Sequence, residues 1–332
     1  MKLDRSLYQH PKLITVFGGS GFVGRHVVET LTKRGYRVRV AVRHPQKAYY
    51  MQQIGDVSQI QMCATDVKNR TLVARALLGA DGAVFLPGSL TQAHQSRFKT
   101  IQIEGTQNVS ELTAETGIPL IYASTLLANE TTPLLYARTK FMCEQIIRDK
   151  NPQAIIMRPS IIFGPEDRFF NRLAKISCTL PIIPLFNGGQ NKIQPVYVGD
   201  IAKFVIRALD GEIPFGKDYD LGGPTVITVR RIIENILKII YRNKVVISIP
   251  SSVGIFIGSI FSVIGKVPLV PTFITTDQVR FLQTDNIVSQ EAIDNKRTLE
   301  GAGITPQAMS AILPSYLWQF RPQGQFSKNL PV

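Results

Sequence analysis

Short apolar runs alternate with longer amphipathic stretches along the first half of the chain. Apolar or alternating runs predict six strands, at 13–17, 36–43, 58–64, 82–86, 119–123 and 154–157. Stretches with helical periodicity predict helices between them, at 22–34, 69–78, 95–116 and 135–149. Because parallel strands need crossover helices, this alternation predicts an α/β fold with a Rossmann-type, doubly wound parallel sheet.

The pattern changes near residue 160, where prolines and glycines cluster and helices are predicted at 199–209 and 228–242. We therefore expect a first domain over 1–160 and a smaller, interleaved C-terminal lobe over 161–332. Part of that lobe is expected to return to the sheet of the first domain.

One stretch, 253–269, is almost wholly apolar and carries the single charge of Lys266. It is shorter than the roughly 20 residues that a membrane-spanning helix needs, so a span is disfavoured. Two interpretations stay open. The stretch is either a core or lid helix, or a helix that faces a membrane surface or a partner.

The composition is that of a folded protein, with 332 residues, 44% hydrophobic and 19% charged. Three widely spaced cysteines form no CxxC pair, which fits a reducing compartment and excludes a zinc site built on cysteines. The four histidines show no metal-binding spacing, so no metal is expected. The first twelve residues lack the apolar core of a signal peptide, so we expect a cytoplasmic protein.

The formal net charge of +14 is compatible with nucleic acid, an anionic membrane or an acidic partner. The basic residues are spread over both halves, without a basic arm or tail. Nucleic-acid-binding proteins usually concentrate their charge, so we expect no nucleic-acid partner. Diffuse charge suits the cytoplasmic face of a membrane better, and a soluble protein that is merely basic stays open.

A glycine-rich turn joins the first predicted strand to the first predicted helix. Gly18 permits the tight turn, Gly21 lets backbone approach a pyrophosphate, and Gly24 lets the helix pack closely on the strand. Strand, glycine turn and helix in this order predict a dinucleotide site, although such a turn can also occur without a ligand. The other residues of this turn that we expect at the cofactor are Ser20, Phe22, Val23 and Arg25.

The end of the second strand indicates which dinucleotide binds. Arg43 stands where NAD-preferring sites hold an acidic residue for the ribose 2′-hydroxyl, and no acidic residue lies nearby. An arginine suits a 2′-phosphate, which predicts NADP(H) over NAD(H); the alternative is an ordinary surface arginine. Asp66 and Val67 follow the third strand and are expected at the adenine edge, although Asp66 would serve equally well as a turn or helix cap.

Three residues could carry out catalysis. Tyr136 and Lys140 are spaced i, i+4 on one predicted helix, which puts the phenol and the ammonium on the same face. A nearby ammonium favours the phenolate and so prepares the tyrosine for acid/base work. Ser124, after the fifth strand, could orient a carbonyl oxygen, and Lys140 could also hold the cofactor ribose.

The glycine turn, Ser124 and the Tyr136–Lys140 pair resemble the extended or atypical branch of the short-chain dehydrogenase/reductase superfamily. The segments at 158–165 and 195–202 resemble the R-P-x-x-x-[FY]-G-P and P-V-x-V-x-D-[VI]-A motifs of that branch. Further segments are similar to the nucleotide-binding accessory subunit family of respiratory complex I, in particular to its alphaproteobacterial homologues. These segments lie at 158–174, 275–289 and 314–326.

This resemblance implies a tightly held NADPH and an accessory or assembly role beside complex I subunits or the inner-membrane surface. It also implies cofactor contacts from Tyr136 and Lys140 and from the residues after the fourth and sixth strands: Leu86, Pro87, Gly88, Pro159 and Ile162. The intact Tyr136–Lys140 pair keeps a second reading open, an NADP-dependent reductase, epimerase or dehydratase acting on a small or isoprenoid-like molecule. The chain departs from the family pattern at Phe17, where the family has threonine, and at Leu86 to Gly88.

Overall fold

The computed structural model describes residues 11–88, 95–250 and 284–326. The strands of these residues, numbered in chain order, are β1 (Leu13–Phe17), β2 (Arg37–Val42), β3 (Ile60–Ala64), β4 (Gly82–Phe85), β5 (Leu120–Ala123), β6 (Ile155–Pro159), β7 (Ile162–Phe163), β8 (Ile182–Phe186), β9 (Lys192–Ile193), β10 (Val196–Tyr197), β11 (Asp218–Leu221), β12 (Ile227–Thr228) and β13 (Val245–Ile249).

The helices of the same residues are α1 (Phe22–Lys33), α2 (Arg70–Leu77), α3 (Gln95–Thr116), α4 (Leu135–Lys150), α5 (Phe170–Thr179), α6 (Val198–Leu209), α7 (Val229–Ile239), α8 (Gln290–Asp294), α9 (Met309–Ile312) and α10 (Pro314–Leu317). Each helix predicted within the described residues is present with ends within a few residues, because each has an apolar face of helical period.

The central sheet has seven strands in the order β3-β2-β1-β4-β5-β6-β11, which confirms the predicted doubly wound α/β fold. All six predicted strands are present. The seventh, β11, was not predicted, because its four residues include Asp218 and Asp220 and follow the change of pattern at residue 160. It runs parallel to β6, as the bonds from Ile156 N to Lys217 O and from Ser160 N to Leu221 O show.

Strand β1 lies inside the sheet, third from the β3 edge, and all five of its residues are buried. Val16 pairs with Val40 of β2 on one side and with Val84 of β4 on the other. The chain therefore leaves β1 towards one edge and later returns to its other side. In such sheets the order reverses at this point, and ligands bind in the crevice at the carboxyl ends of the two strands.

The chain divides into two compact units. The first comprises 1–125, 139–158 and 201–219 and holds most of the central sheet. Its core includes a stacked pair of rings, Phe85 and Tyr122, with centroids 5.6 Å apart. The extent of a functional cofactor domain, expected at 1–160, stays a prediction.

The second unit comprises 126–138, 159–200 and 220–332. Small two-stranded sheets form within it, among them the parallel pair β8–β13 and the antiparallel pair β9–β12. The apolar stretch 253–269 lies outside the described residues, so both interpretations of it remain. In the described part of the chain, no helix combines the length and the hydropathy that crossing a membrane requires.

Candidate functional site

The glycine turn after β1 is too tight for side chains. Gly18 has φ +73°, a backbone conformation that side chains disfavour, and a Cβ there would lie 3.2 Å from Pro87 N. A Cβ on Gly24 would lie 2.5 Å from the carbonyl oxygens of Gly18 and Gly19. Gly24 therefore lets the first turn of α1 lie directly against the turn that follows β1.

The amino terminus of α1 has features that suit a phosphate group. Its N-cap residue, Gly21, provides no side-chain hydrogen bond, and the first turn contains no acidic residue. The first-turn N–H groups and the positive end of the helix dipole are thus available to an anion. Arg25 lies in the same turn and is half-buried. Ser20, Phe22 and Val23 complete the turn, and none of the three is fully buried.

Arg43 follows directly on the carboxyl end of β2 and is exposed. Its guanidinium forms neither a hydrogen bond nor an ion pair with any described residue. Seven residues further along, Tyr50 contacts the glycine turn, since its hydroxyl donates to the carbonyl oxygen of Ser20 at 3.4 Å. The end of β2 therefore offers a positive charge that no residue of the described ranges pairs with.

The loop after β3 is fixed from two directions. The Asp66 carboxylate accepts from Lys68 N at 3.1 Å, so the turn-cap alternative for Asp66 is present in the structure. Asn108 of α3 donates its side-chain amide to the carbonyl oxygen of Val67 at 3.0 Å. Val67 is buried, and a Cβ on Gly105 would lie 2.6 Å from its Cγ2. Contact of either residue with adenine stays a prediction.

The loop after β4 lies against the glycine turn. Leu86 N donates to Phe17 O at 3.1 Å, which continues the β1–β4 pairing into the loop. The carbonyl oxygen of Pro87 accepts from two side chains, Gln102 Nε2 at 3.0 Å and Lys140 Nζ at 3.2 Å. Gly88 is exposed at the end of this loop.

Lys140 is the most deeply buried ionisable group of the predicted set, with 1% of its surface exposed. Its ammonium donates to Ala123 O at 2.7 Å, to Tyr122 Oη at 3.3 Å and to Pro87 O. Burial lowers the pKa of Lys140 from 10.5 to about 8, and the charges of Cys143 and Glu144 oppose that shift. The ammonium therefore titrates close to neutral pH.

Ser124 is buried and follows β5 directly. Its hydroxyl donates to the carboxylate of Glu144, one turn beyond Lys140 on α4. Arg158 of β6 reaches the same carboxylate with Nε, at 3.0 and 3.2 Å from the two oxygens. The hydroxyl proton of Ser124 is thus directed into the protein, and its expected role towards a substrate carbonyl stays a prediction.

The remaining predicted residues belong to the second unit. Tyr136 lies in the first turn of α4, four residues before Lys140, and is half-buried. Pro159 is buried, and its carbonyl oxygen accepts from Leu126 N at 3.2 Å. Ile162 lies in β7 and pairs with Val196 of β10.

Three residues that sequence reasoning did not single out contact predicted ones: Gln102, Tyr122 and Glu144. The i, i+4 spacing of Lys140 and Glu144 was a visible signal. The other two depend on which strand ends lie side by side, which the sequence does not show. Within the described ranges, no group of His, Cys, Asp or Glu side chains has the arrangement of a metal site.

Comparison with known proteins is consistent with this geometry. The sequence profile of the NAD dependent epimerase/dehydratase family matches residues 14–222. An Arabidopsis thaliana protein, NADH dehydrogenase [ubiquinone] 1 alpha subcomplex subunit 9, mitochondrial, is 28% identical over 318 residues. The match covers 93% of this chain and 78% of that protein. The mitochondrial NADH-ubiquinone oxidoreductase 40 kDa subunit of Neurospora crassa is 25% identical over 94% of this chain and 80% of its own.

A bacterial relative carries an enzyme's name. Ceramide reductase of Caulobacter vibrioides is 25% identical over 190 residues, which cover 57% of this chain and 58% of that protein. Among solved structures, that of gox2253 superposes with a TM-score of 0.71 at 21% identity, over 95% of this chain and all of the other. This structural likeness supports the fold.

Proposed function

Because this chain belongs to the NAD dependent epimerase/dehydratase family, we propose that it holds NADP(H) and serves as an accessory or assembly subunit of respiratory complex I. The observation that carries the proposal is the similarity, over 93% of the chain, to a protein named as a subunit of NADH dehydrogenase. The partners we propose are other complex I subunits.

The glycine turn and the amino terminus of α1 would hold the pyrophosphate. A side chain would be strained at Gly18 and would clash with backbone at Gly24, and the helix end offers N–H groups with Arg25 beside them. Ser20, Gly21, Phe22 and Val23 would surround the phosphates, and Asp66 and Val67 the adenine. Lys140, with Leu86 to Gly88, would lie at the ribose and nicotinamide. Contact of Pro159 and Ile162 with the cofactor stays a prediction. The nicotinamide, when bound, can exchange a hydride.

Arg43 supports NADP(H) over NAD(H). Its guanidinium is exposed at the carboxyl end of β2, and no described residue neutralises it. A 2′-phosphate would supply the missing negative charge, whereas the ribose of NAD offers only a hydroxyl group. Solved relatives in complex with NAD show that the fold itself accepts nicotinamide dinucleotides.

A second candidate function is an NADP-dependent reductase, epimerase or dehydratase. The Tyr136–Lys140 pair on α4 favours it, since a lysine with a pKa of about 8 can exchange protons near neutral pH. Tyr136 would act as the general acid or base and Lys140 would assist it. The relative named ceramide reductase points to an apolar substrate, either a long-chain lipid or an isoprenoid-like molecule.

The location we propose is the cytoplasmic face of the inner membrane, as a peripheral protein. The net charge of +14 favours an anionic surface, at about 1 kcal/mol for each suitably placed basic residue. This attraction would weaken as salt rises, because the Debye length at physiological ionic strength is about 8 Å.

Nucleotide analysis of the purified chain distinguishes the two functions. The chain is isolated from its own cells and denatured, and the released nucleotide is identified and quantified by chromatography. The accessory role predicts near-equimolar NADP(H) that does not turn over. The enzymatic role predicts oxidation of NADPH that depends on an added apolar carbonyl compound. A chain that neither carries nor binds a nicotinamide dinucleotide contradicts both.

A further inference from the structure

Glu144 is a buried carboxylate to which the proposed function assigns no task. Only 2% of its surface is exposed, although it lies on α4 just one turn after Lys140. It accepts hydrogen bonds from the Ser124 hydroxyl at the end of β5 and from the Arg158 guanidinium of β6. A carboxylate this deeply buried is costly unless it is paired and hydrogen-bonded.

The ionic contacts continue beyond Glu144. Arg158 Nη2 also lies 3.1 Å from an Asp218 oxygen at the start of β11, and Asp218 is paired with Arg148 of α4. Arg148 in turn donates to Ala154 O at 3.1 Å. Two carboxylates and two guanidinium groups therefore form a cluster in which the charges balance.

One face of α4 thus contacts successive strands at successive turns. Lys140 is bonded to β5 and to the loop after β4, Glu144 to the ends of β5 and β6, and Arg148 to the starts of β6 and β11. The spacing of i, i+4, i+8 places the three side chains along one side of the helix. Lys140 reaches its acceptors on a flexible four-carbon stem, so its position depends on how the helix beneath it is held.

We propose that Glu144 is a positioning residue for Lys140. Through Ser124 and Arg158 it fixes the rotation and height of α4 against β5 and β6, and so places the ammonium at the carboxyl end of β5. Ser124 takes part as the other half of this anchor. The consequence for cofactor affinity rests on the proposed function, whereas the consequence for Lys140 itself does not.

The test compares Glu144→Gln with Asp167→Asn. Asp167 is a matched control, a buried carboxylate of the second unit that accepts from Tyr316 Oη at 2.6 Å and is remote in role from Lys140. Three quantities are measured on each full-length variant: the melting temperature, the Kd for NADPH by fluorescence, and the titration of Lys140. The last uses 13C-labelled lysine and NMR, with the Lys140 signal assigned by its loss in Lys140→Arg.

Glu144→Gln is expected to weaken NADPH binding severalfold and to lower the pKa of Lys140 further, because the Glu144 charge normally raises it. Asp167→Asn is expected to lower the melting temperature and leave both other readouts as in the unaltered chain. Glu144→Gln that only lowers the melting temperature, with NADPH affinity and Lys140 titration unchanged, overturns the proposal.

If Glu144→Gln does not fold, a milder variant provides the test. Ser124→Ala removes a single bond to Glu144, and the proposal expects weaker NADPH binding from it as well; unaltered affinity overturns the proposal. If the unaltered chain binds no NADPH, the proposed function has failed. The Lys140 titration in Ser124→Ala, which leaves every charge in place, then decides the positioning role alone: a shifted Lys140 pKa supports it and an unchanged one overturns it.

Discussion

Gln102 and Lys140 donate to the same acceptor, the carbonyl oxygen of Pro87, at 3.0 and 3.2 Å. Eleven residues after Lys140, Asn151 directly follows α4 and donates to Oγ1 of Thr113, which lies eleven residues after Gln102, at 3.0 Å. Eleven residues make about three helical turns, so α3 and α4 run side by side in the same direction. The helix that carries Lys140 is therefore held beside α3 at both ends of their contact, near Pro87 and near Thr113.

The contact between α3 and α4 contains buried hydroxyl groups that have no hydrogen-bond partner among the described residues. Thr106 Oγ1 and Ser110 Oγ lie on α3 between Gln102 and Thr113, and neither has a hydrogen-bond partner among the described residues. Thr106→Val should leave the free energy of unfolding unchanged or raise it, because it removes an unsatisfied polar group. Thr113→Val breaks formed bonds and should cost about 1 kcal/mol.

Urea unfolding of the two variants measures this difference, since both make the same exchange of a hydroxyl for a methyl group. Equal losses of stability in both would mean that Thr106 has a partner after all, such as an internal water molecule.

Arg43 should determine the choice of dinucleotide. We expect the unaltered chain to bind NADP(H) more tightly than NAD(H), and Arg43→Ala to remove that preference. Loss of a charge-assisted contact to phosphate is on the order of 1.5–3 kcal/mol, roughly ten- to a hundredfold in affinity. Titration of both proteins with both cofactors tests this. Equal affinities in the unaltered chain would show that Arg43 is an ordinary surface residue.

Lys140 should make stability depend on pH in the alkaline range. Its pKa is about 8 in the folded chain, against 10.5 when exposed. Between these values the unfolded chain keeps a proton that the folded chain has released, so the free energy of unfolding rises with pH. Relative to Lys140→Met, the unaltered chain should gain on the order of 3 kcal/mol between pH 8 and pH 10.5.

Chemical denaturation of both proteins across this range isolates the contribution of Lys140, since all other titrating groups are shared. A difference between the two that stays constant with pH would mean that the Lys140 ammonium is solvated in the folded chain.

Tyr136→Phe should remove most of any turnover and leave NADPH binding nearly intact. Tyr136→Phe removes only the hydroxyl, and general acid catalysis typically contributes 10²–10⁴-fold to a rate. Lys140→Ala should weaken both binding and turnover. NADPH affinity and substrate-dependent oxidation are measured on the same preparations. A fully active Tyr136→Phe variant would show that the pair has no catalytic role.

The sequence predicted most of the fold, because each element carries its own periodicity. Helix α3 was predicted at 95–116 and is found at Gln95–Thr116. Strand β11 was not predicted, because its short Asp-Tyr-Asp-Leu segment contains no apolar run and becomes buried only by pairing with β6. The residues that contact Ser124 and Lys140 were not predicted for a related reason. Glu144, Arg158 and Gln102 meet them only through the register of β5 and β6 and the packing of two helices.

The most direct test of the accessory role is whether the chain migrates with complex I. Membranes from its own cells, carrying a tagged chain at its natural expression level, are extracted in mild detergent and separated on a native gel. We expect the tag to coincide with the band that oxidises NADH, and this band to release NADP(H) on denaturation. A chain found wholly in the soluble fraction, away from that band at low and at high salt, would contradict it.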